Sequence, residues 1–100
     1  MIQEVTVTPK QLQVVLSGSI YVEEAKAIRE SLIGYIDRGH QSISMDLSKV
    51  DYIDGTGLGT LVSINKRAME KGGNVKIKGL QGIVKDLFEL TRLNKVFEII

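Results

Sequence analysis

The sequence contains no cysteine, and its 100 residues include a single proline, Pro9. Without cysteine the chain forms no disulfide bond and no thiolate metal site. Its charges nearly cancel, because 13 lysine and arginine residues face 12 aspartate and glutamate residues, for a formal net charge of +1. This balance gives no electrostatic reason to expect binding to nucleic acid or to an anionic membrane.

Long apolar runs are also missing. No stretch approaches the roughly 20 apolar residues that span a bilayer. The opening MIQEVTVTPK lacks the charged start and the continuous apolar segment of a signal peptide. We therefore expect a cytoplasmic protein without a membrane partner. A chain of 100 residues, 43% of them hydrophobic, is long enough for one domain with its own core and too short for two ordinary domains.

The first half of the chain predicts a hairpin followed by a helix and a strand. IQEVTV and QLQVVLS alternate apolar and polar residues around a turn at Thr8-Pro9-Lys10, and Gly18 is expected to end the second strand. From Val22 the apolar residues recur at helical spacing, and Gly39 is the expected helix stop. The segment SISMDL then alternates as a strand does. The predicted apolar face of the helix consists of Ala25, Ile28, Leu32 and Ile36.

The second half alternates helices and strands. A helix is expected after residue 54 and should stop at Gly72-Gly73. The next elements are a short strand, NVKIKG, and a third helix, QGIVKDLFELTRL. The last segment, KVFEII, is expected to be a strand or an irregular tail. The predicted apolar faces are Leu58, Leu61, Val62, Asn65, Ala68 and Met69 in the second helix, and Ile83, Val84, Leu87 and Leu90 in the third. The order β-β-α-β-α-β-α-(β) predicts an α/β domain whose mixed sheet has about four to five strands with helices packed on it.

One stretch, DYIDGTGLGTLV at residues 51–62, stands where a strand ends and a helix begins, which is where sites collect in open sheets with helical crossovers. As a phosphate loop its G-x-G-x-G spacing matches no established pattern, and Asp51 and Asp54 would repel the anion. Nucleotide binding therefore stays a weak alternative. A calcium loop needs glutamate where Val62 stands, and an aspartic protease motif has no glycine between aspartate and threonine.

The hydroxyl of Thr56 is the reactive group of this stretch. Nucleophilic catalysis would need a base and a partner that orients it, whereas the only histidine, His40, is predicted in a turn elsewhere. We therefore expect no catalytic residue, no metal ligand, no cofactor and no enzymatic activity. A hydroxyl on a glycine-flanked helix start is easy for another protein's active site to approach. The alternative is that Thr56 only caps the helix, worth typically about 1 kcal/mol.

The stretch DLSKVDYIDGTGLG, residues 46–59, resembles the D-L-S-x-V-x-x-[IM]-D-S-S/T-G-L-G core of STAS domains of bacterial anti-sigma-factor antagonists. LSGSI, the helix after it, the Gly-bearing turn before NVKIKG and the final F-x-I extend the resemblance over nearly the whole chain, which implies one STAS domain over residues 1–100. The resemblance implies an antagonist that binds a kinase-type anti-sigma factor when unphosphorylated and so releases a sigma factor. Phosphorylation switches this binding off.

The resemblance also assigns residues. The residue directly before G-L-G, here Thr56, is the one phosphorylated, and the aspartate two residues earlier, here Asp54, helps the kinase engage the hydroxyl. Gly55 stands where the family usually has serine, and Tyr21 stands where many antagonists carry an acidic residue of the partner-facing surface. The expected partner contacts are Tyr21, Asp54, Gly55, Gly57 and Leu58.

Several alternatives stay open beside this interpretation. Leu58 fits the core as well as the rim of an interface, Gly59 fits tight packing of the helix on the sheet, and Asp46 fits a hydrogen bond to the loop that follows it. The implied partners are an anti-sigma serine/threonine kinase and a phosphatase, with the protein a monomer or a weak dimer. An alternative function keeps the same fold as a scaffold module of a multi-subunit stress-signalling or transporter-associated assembly.

Overall fold

The computed structural model describes residues 2–100, except for the side chain of Ile2. In that range the chain forms the elements that the sequence predicts, in the predicted order. These are β1 Ile2–Val7, β2 Leu12–Ile20, α1 Val22–Asp37, β3 Ser42–Ile53, α2 Gly55–Glu70, β4 Asn74–Lys78, α3 Gly82–Leu90, a 3₁₀ turn Leu93–Lys95 and β5 Glu98–Ile99. The predicted α/β fold is confirmed, and the closing segment is a short strand.

The strands lie in one mixed sheet in the order β1-β2-β3-β4-β5. β1 and β2 are antiparallel, as the predicted hairpin requires, and the turn between them is closed by the Thr8 hydroxyl, which donates to the Gln11 carbonyl oxygen at 2.7 Å. The other neighbouring pairs are parallel. Parallel neighbours need a crossover, and here each crossover contains a helix.

One face of the sheet carries the core. Register places Leu12, Ile43 and Val75 side by side across three strands, and all three are buried. The residues that follow these three, Gln13, Ser44 and Lys76, are also paired across the strands and point to the opposite face. The two faces therefore differ in polarity, because successive side chains of a strand point to opposite sides. Helix α1 buries its predicted stripe of Ala25, Ile28, Leu32 and Ile36 in this core. Burying each of the isoleucine and leucine side chains contributes roughly 1.5–3 kcal/mol.

The strand ends differ from the prediction. Gly18 does not end β2, which runs on to Ile20; Gly18 lies inside the strand at φ +85°, beside a shift in the β2–β3 register. Likewise β3 continues past SISMDL to Ile53. The buried residues of that extension, Val50 and Ile53, are three apart rather than two. The irregular register therefore removes the alternation by which a strand is identified in a sequence.

Three residues assigned to helical apolar faces are exposed instead. The exposed fractions are 59% for Met69, 49% for Ile83 and 81% for Leu90. Ile64 and Phe88 are buried in their helices, so the stripes are rotated slightly from those predicted. The glycine stops are confirmed, because Gly39 and Gly72 follow α1 and α2 at φ +100° and +89°. Within residues 2–100 no helix has the length and apolarity to cross a membrane.

Candidate functional site

The candidate site lies where β2 and β3 end together. Ile20 and Ile53, the last residues of these strands, are paired in the parallel register. The backbone N–H of Asp54 donates to the carbonyl oxygen of Ile20 at 3.1 Å. Helix α1 starts two residues after Ile20 and helix α2 two residues after Ile53. Two helix N-termini therefore open side by side at the carboxyl edge of the parallel strands, where ligands and partners bind in such sheets.

Asp54 is the cap of α2. Its backbone is extended, its carboxylate Oδ1 accepts the N–H of Gly57 at 2.8 Å, and its carbonyl oxygen accepts the N–H of Leu58 at 2.9 Å. This arrangement satisfies one of the free N–H groups of the first turn. The alternative that Thr56 caps the helix is therefore wrong, because the position and the bond belong to Asp54.

Thr56 is the second residue of α2 and is exposed. Within residues 2–100 its hydroxyl makes no hydrogen bond, and the backbone N–H groups of Gly55 and Thr56 have no acceptor. The first turn of α2 thus presents a hydroxyl and two backbone donors to solvent. The arrangement suits a group that is reached from outside the molecule.

The three glycines around Thr56 have different surroundings. A Cβ added at Gly57 would lie 2.6 Å from Cγ1 of Ile53 and 3.1 Å from Cγ2 of Ile20. Gly57 is therefore the residue that lets α2 approach the strand ends. At Gly55 and Gly59 an added Cβ would meet nothing within 4 Å. Tight packing of Gly59 on the sheet is thus wrong, since Gly55 and Gly59 face open space.

The residues expected to contact a partner fall into two groups. Tyr21 and Gly55 are exposed and Asp54 is half-buried, so a partner can reach them directly. Gly57 and Leu58 are buried, and Leu58 is only 7% exposed within the core. The core interpretation of Leu58 is confirmed. Gly57 and Leu58 lie behind the exposed surface and support it, and their contact with a partner stays a prediction.

A second exposed aromatic residue, Tyr52, was missed by the sequence analysis. Its ring centroid lies 5.8 Å from that of Tyr21, with an angle of 39° between the ring planes. Tyr21 occupies the cap position of α1, where its backbone N–H donates to Oε1 of Glu24 at 2.9 Å. The signal for Tyr52 is its place just before Ile53-Asp54, which becomes informative only once β3 is known to extend to Ile53.

The charged residues nearest in sequence to the two helix starts are acidic, and the first basic residues beyond them are Lys26 and Lys49. Residues 17–25 and 50–60 contain Glu23, Glu24, Asp51 and Asp54 but neither lysine nor arginine. Acidic side chains near helix N-termini are favoured by the helix dipole. Among residues 2–100 no group of three or more His, Asp or Glu side chains could hold a metal ion. The chemistry that the edge offers is therefore a hydroxyl, two aromatic rings and a negative rim.

Asp46, at the start of the DLS triplet, has a structural role. Its Oδ1 accepts the N–H of Ser48 at 2.9 Å, and this bond, helped by Lys78 and Lys49, holds the pKa of Asp46 below its usual value of 3.8 although burial opposes the shift. The carbonyl oxygen of Ser48 in turn accepts from Nε2 of Gln81 at 2.7 Å. Asp46 thus accepts a hydrogen bond from a residue that follows it, as expected, but that residue lies in β3 rather than in a loop.

Comparison with known proteins identifies relatives over nearly the full chain. The family model described as STAS domain matches residues 3–100. The anti-sigma-B factor antagonist of Bacillus subtilis is 33% identical over 88 residues, which cover 88% of this chain and 80% of that protein.

Solved structures give the same result for the fold. An anti-sigma factor antagonist from Mycobacterium paratuberculosis superposes with a TM-score of 0.86 at 20% identity, over 98% of this chain and 83% of that one. The Bacillus protein SpoIIAA in its phosphorylated form gives 0.79 at 15% identity over 99% and 91% of the two chains. Its unphosphorylated form gives 0.80 at 14% identity over 99% and 87%. At such identities the likeness shows the fold.

Proposed function

Because the chain belongs to the STAS domain family, we propose that it is an anti-sigma-factor antagonist switched by phosphorylation of Thr56. The unphosphorylated protein binds a kinase-type anti-sigma factor, which releases its sigma factor, and the phosphorylated protein does not bind. The protein itself catalyses no reaction in this cycle. A separate phosphatase returns it to the binding form, and the cycle runs in the cytoplasm with the protein as a monomer or weak dimer. The name of its Bacillus subtilis relative, an anti-sigma-B factor antagonist, supports this class of function.

The observation that carries the proposal is the bare surface around Thr56. Its hydroxyl is exposed on the outer side of α2, and the neighbouring Gly55 and Gly59 place no side chain on that side. A kinase active site must enclose the hydroxyl, and an antagonist surface must fit closely against its partner. Both need a backbone that can be approached closely, and glycine permits that approach.

Phosphorylation of Thr56 should leave the fold intact. The modification adds about −1.5 to −2 charges at pH 7, and the exposed position keeps that charge in water. The N–H groups of Gly55 and Thr56 and the positive end of the helix dipole favour an anion at this place. Asp54, close by in the sequence and on the same helix start, opposes it.

The same modification should abolish binding. A partner surface shaped to a small hydroxyl and two glycines would meet a bulky dianion at its point of closest approach. Release of the partner therefore follows from a local change of shape and charge, without any rearrangement of the domain.

The proposal is tested with Thr56→Ala, Thr56→Glu and Thr60→Ala. Each purified protein is incubated with ATP and with each purified anti-sigma kinase encoded in the source genome, and its intact mass and affinity are measured. We expect wild type and Thr60→Ala to gain one phosphoryl group and Thr56→Ala to gain none. Thr60 is the matched control, because it lies on the same helix and is half-buried. Phosphorylation of Thr56→Ala, or none of wild type by any kinase, would contradict the switch.

Thr56→Glu separates binding from stability. A carboxylate in the first turn of a helix stabilises it by about 0.3–1 kcal/mol, so this variant should unfold at the same or higher urea concentration than wild type. Its affinity for the anti-sigma kinase should nevertheless fall by at least about tenfold, or about 1.4 kcal/mol. An affinity equal to that of wild type would count against the proposal and favour the scaffold function.

A further inference from the structure

We propose that Tyr21, Val22 and Tyr52 form an aromatic anchor that takes an apolar side chain of the partner, on a partner surface bordered by basic residues. This inference rests on the proposed function, because it names what the edge beside Thr56 binds. Neither Val22 nor Tyr52 belongs to the residues for which the sequence predicts a partner contact.

The exposure of the anchor is the first observation. The exposed fractions are 49% for Tyr21, 59% for Val22 and 37% for Tyr52, and the two rings already contact each other. Exposed apolar residues are common singly, whereas here Tyr21 and Tyr52 contact each other and Val22 follows Tyr21 in the chain, a grouping that fits an interaction site. Tyrosine is also enriched among the residues that dominate binding energy, because it buries a large rigid ring at low entropic loss.

The cap position of α1 supplies the second observation. Serine, threonine, aspartate and asparagine are favoured there because their side chains bond to the free N–H groups of the first turn. Among residues 2–100 the side chain of Tyr21 makes no such cap bond, whereas its backbone N–H donates to Oε1 of Glu24. The fold would therefore be more stable with a small polar residue. Inside the domain the ring of Tyr21 contacts that of Tyr52, and its exposed half is explained by a contact outside the domain.

The acidic residues around the anchor indicate which kind of partner surface can bind there. The four charged residues next to the two helix starts, Glu23, Glu24, Asp51 and Asp54, are all acidic, and Lys26 and Lys49 follow only beyond them. An acidic protein surface, a nucleic acid or an anionic membrane would be repelled by this rim. A protein surface with an apolar side chain at its centre and lysine or arginine around it complements both the rings and the rim.

The anchor and Thr56 have separate tasks in one surface. The hydrogen bond from Asp54 to Ile20 ties the start of α2 to the strand end that leads into Tyr21. The anchor lies on the strand ends and α1, whereas Thr56 lies on the bare outer side of α2. The anchor accordingly provides affinity and partner choice, and Thr56 decides whether the two surfaces can close.

The test compares affinities for the purified anti-sigma kinases encoded in the source genome, measured by calorimetry. Tyr52→Ala should bind at least about 30-fold more weakly than wild type, as expected for a dominant interface residue. Tyr52→Phe keeps the ring and should stay within about threefold. Leu90→Ala is the matched control, because Leu90 is 81% exposed on α3 and lies outside the anchor; its affinity should not change.

Tyr21→Ser distinguishes a binding role from a structural one. Serine should cap α1 and raise the melting temperature by about 4–8 °C, while the affinity for the kinase falls by at least about tenfold. A purely structural role of Tyr21 would move both quantities in the same direction. Raising the salt concentration from about 0.05 M to about 0.5 M should also weaken wild-type binding, because it screens the acidic rim from basic residues.

The outcomes separate this inference from the proposed function. If wild type binds none of these kinases, the proposed function fails and the inference fails with it. If wild type binds and both Tyr52→Ala and Tyr21→Ser bind equally well, the proposed function stands and the anchor is overturned. Binding that depends on Tyr52 but does not weaken with salt would overturn the basic border of the occupant.

Discussion

The first two turns of α2 have an inner and an outer side, and glycine serves opposite purposes on them. On the inner side Gly57 touches Ile53 and Ile20, and Leu58 fills the core. On the outer side Gly55 and Gly59 contact nothing within 4 Å of where a Cβ would be. A glycine inside a helix costs about 0.5–1 kcal/mol relative to alanine. Packing accounts for that cost at Gly57 but not at Gly59, as the proposed contact of the outer side with a partner would require.

The largest change in stability is expected for Gly57→Ala, on the inner side of α2. The added methyl group would lie 2.6 Å from Cγ1 of Ile53, well below an ordinary van der Waals contact distance, and both Ile53 and Ile20 are fully buried. Crowding of a packed core destabilises by about 1–3 kcal/mol, which exceeds the gain in helix propensity. We expect the midpoint of urea unfolding to fall accordingly.

Gly34→Ala is the control for Gly57→Ala. Gly34 lies in α1, and an added Cβ there would meet only the end of the Arg38 side chain at 3.5 Å, an ordinary contact. Its unfolding midpoint should rise rather than fall. If Gly57→Ala were as stable as wild type, α2 could move away from the strand ends, and the distinction between the two sides would not hold.

The next largest loss of stability is expected at Asp54, the N-terminal cap of α2. Asp54→Ala removes the bond to the Gly57 N–H and should cost about 1 kcal/mol of unfolding free energy. Asp54→Asn keeps a capping oxygen and should be nearly as stable as wild type. Urea unfolding of the two variants measures this difference.

The same pair tests the carboxylate of Asp54 in phosphorylation. If its charge helps the kinase engage the Thr56 hydroxyl, Asp54→Asn should be phosphorylated more slowly than wild type although its stability is retained. Equal rates for Asp54→Asn and wild type, followed by intact mass over time, would reduce Asp54 to its capping role.

Most of the fold could be predicted because its elements carry regular apolar periods. The stripe of α1 and the alternation of β2 were identified from the sequence, and both point into the core. The errors lie at element ends. Glycine in a strand pattern predicts a strand end at Gly18, whereas here it lies beside a register shift inside β2. Leu90 is the last residue of α3 and is 81% exposed, so the apolar period of the sequence continues past the buried part of the helix.

The site was predicted less completely than the fold. The motif around Thr56 directs attention to the correct helix start, but it does not say which glycine faces inward. Successive residues are about 100° apart around the helix axis, so Gly55 and Gly57 face opposite sides. Which of them faces the sheet depends on the rotation of α2 about its axis. Tyr52 was missed for a related reason, because its exposure depends on how far β3 extends.

The smallest expected effect is the one that tests the outer side directly. Gly59→Ala should raise the unfolding free energy by about 0.5–1 kcal/mol, because it removes a flexible residue from a helix interior and its methyl group meets nothing within 4 Å. If a partner approaches this side closely, the same methyl group should weaken binding to the anti-sigma kinase by roughly tenfold, as a small steric conflict at an interface does.

Gly34→Ala is the control for Gly59→Ala. It should be stabilised by a similar amount without any change in affinity, because it lies in the body of α1, away from its exposed start. Greater stability with unchanged affinity in both variants would mean that the outer glycines have no partner. Greater stability in both with weaker binding only in Gly59→Ala would show that the bare side of α2 is kept for contact with a partner at the expense of stability.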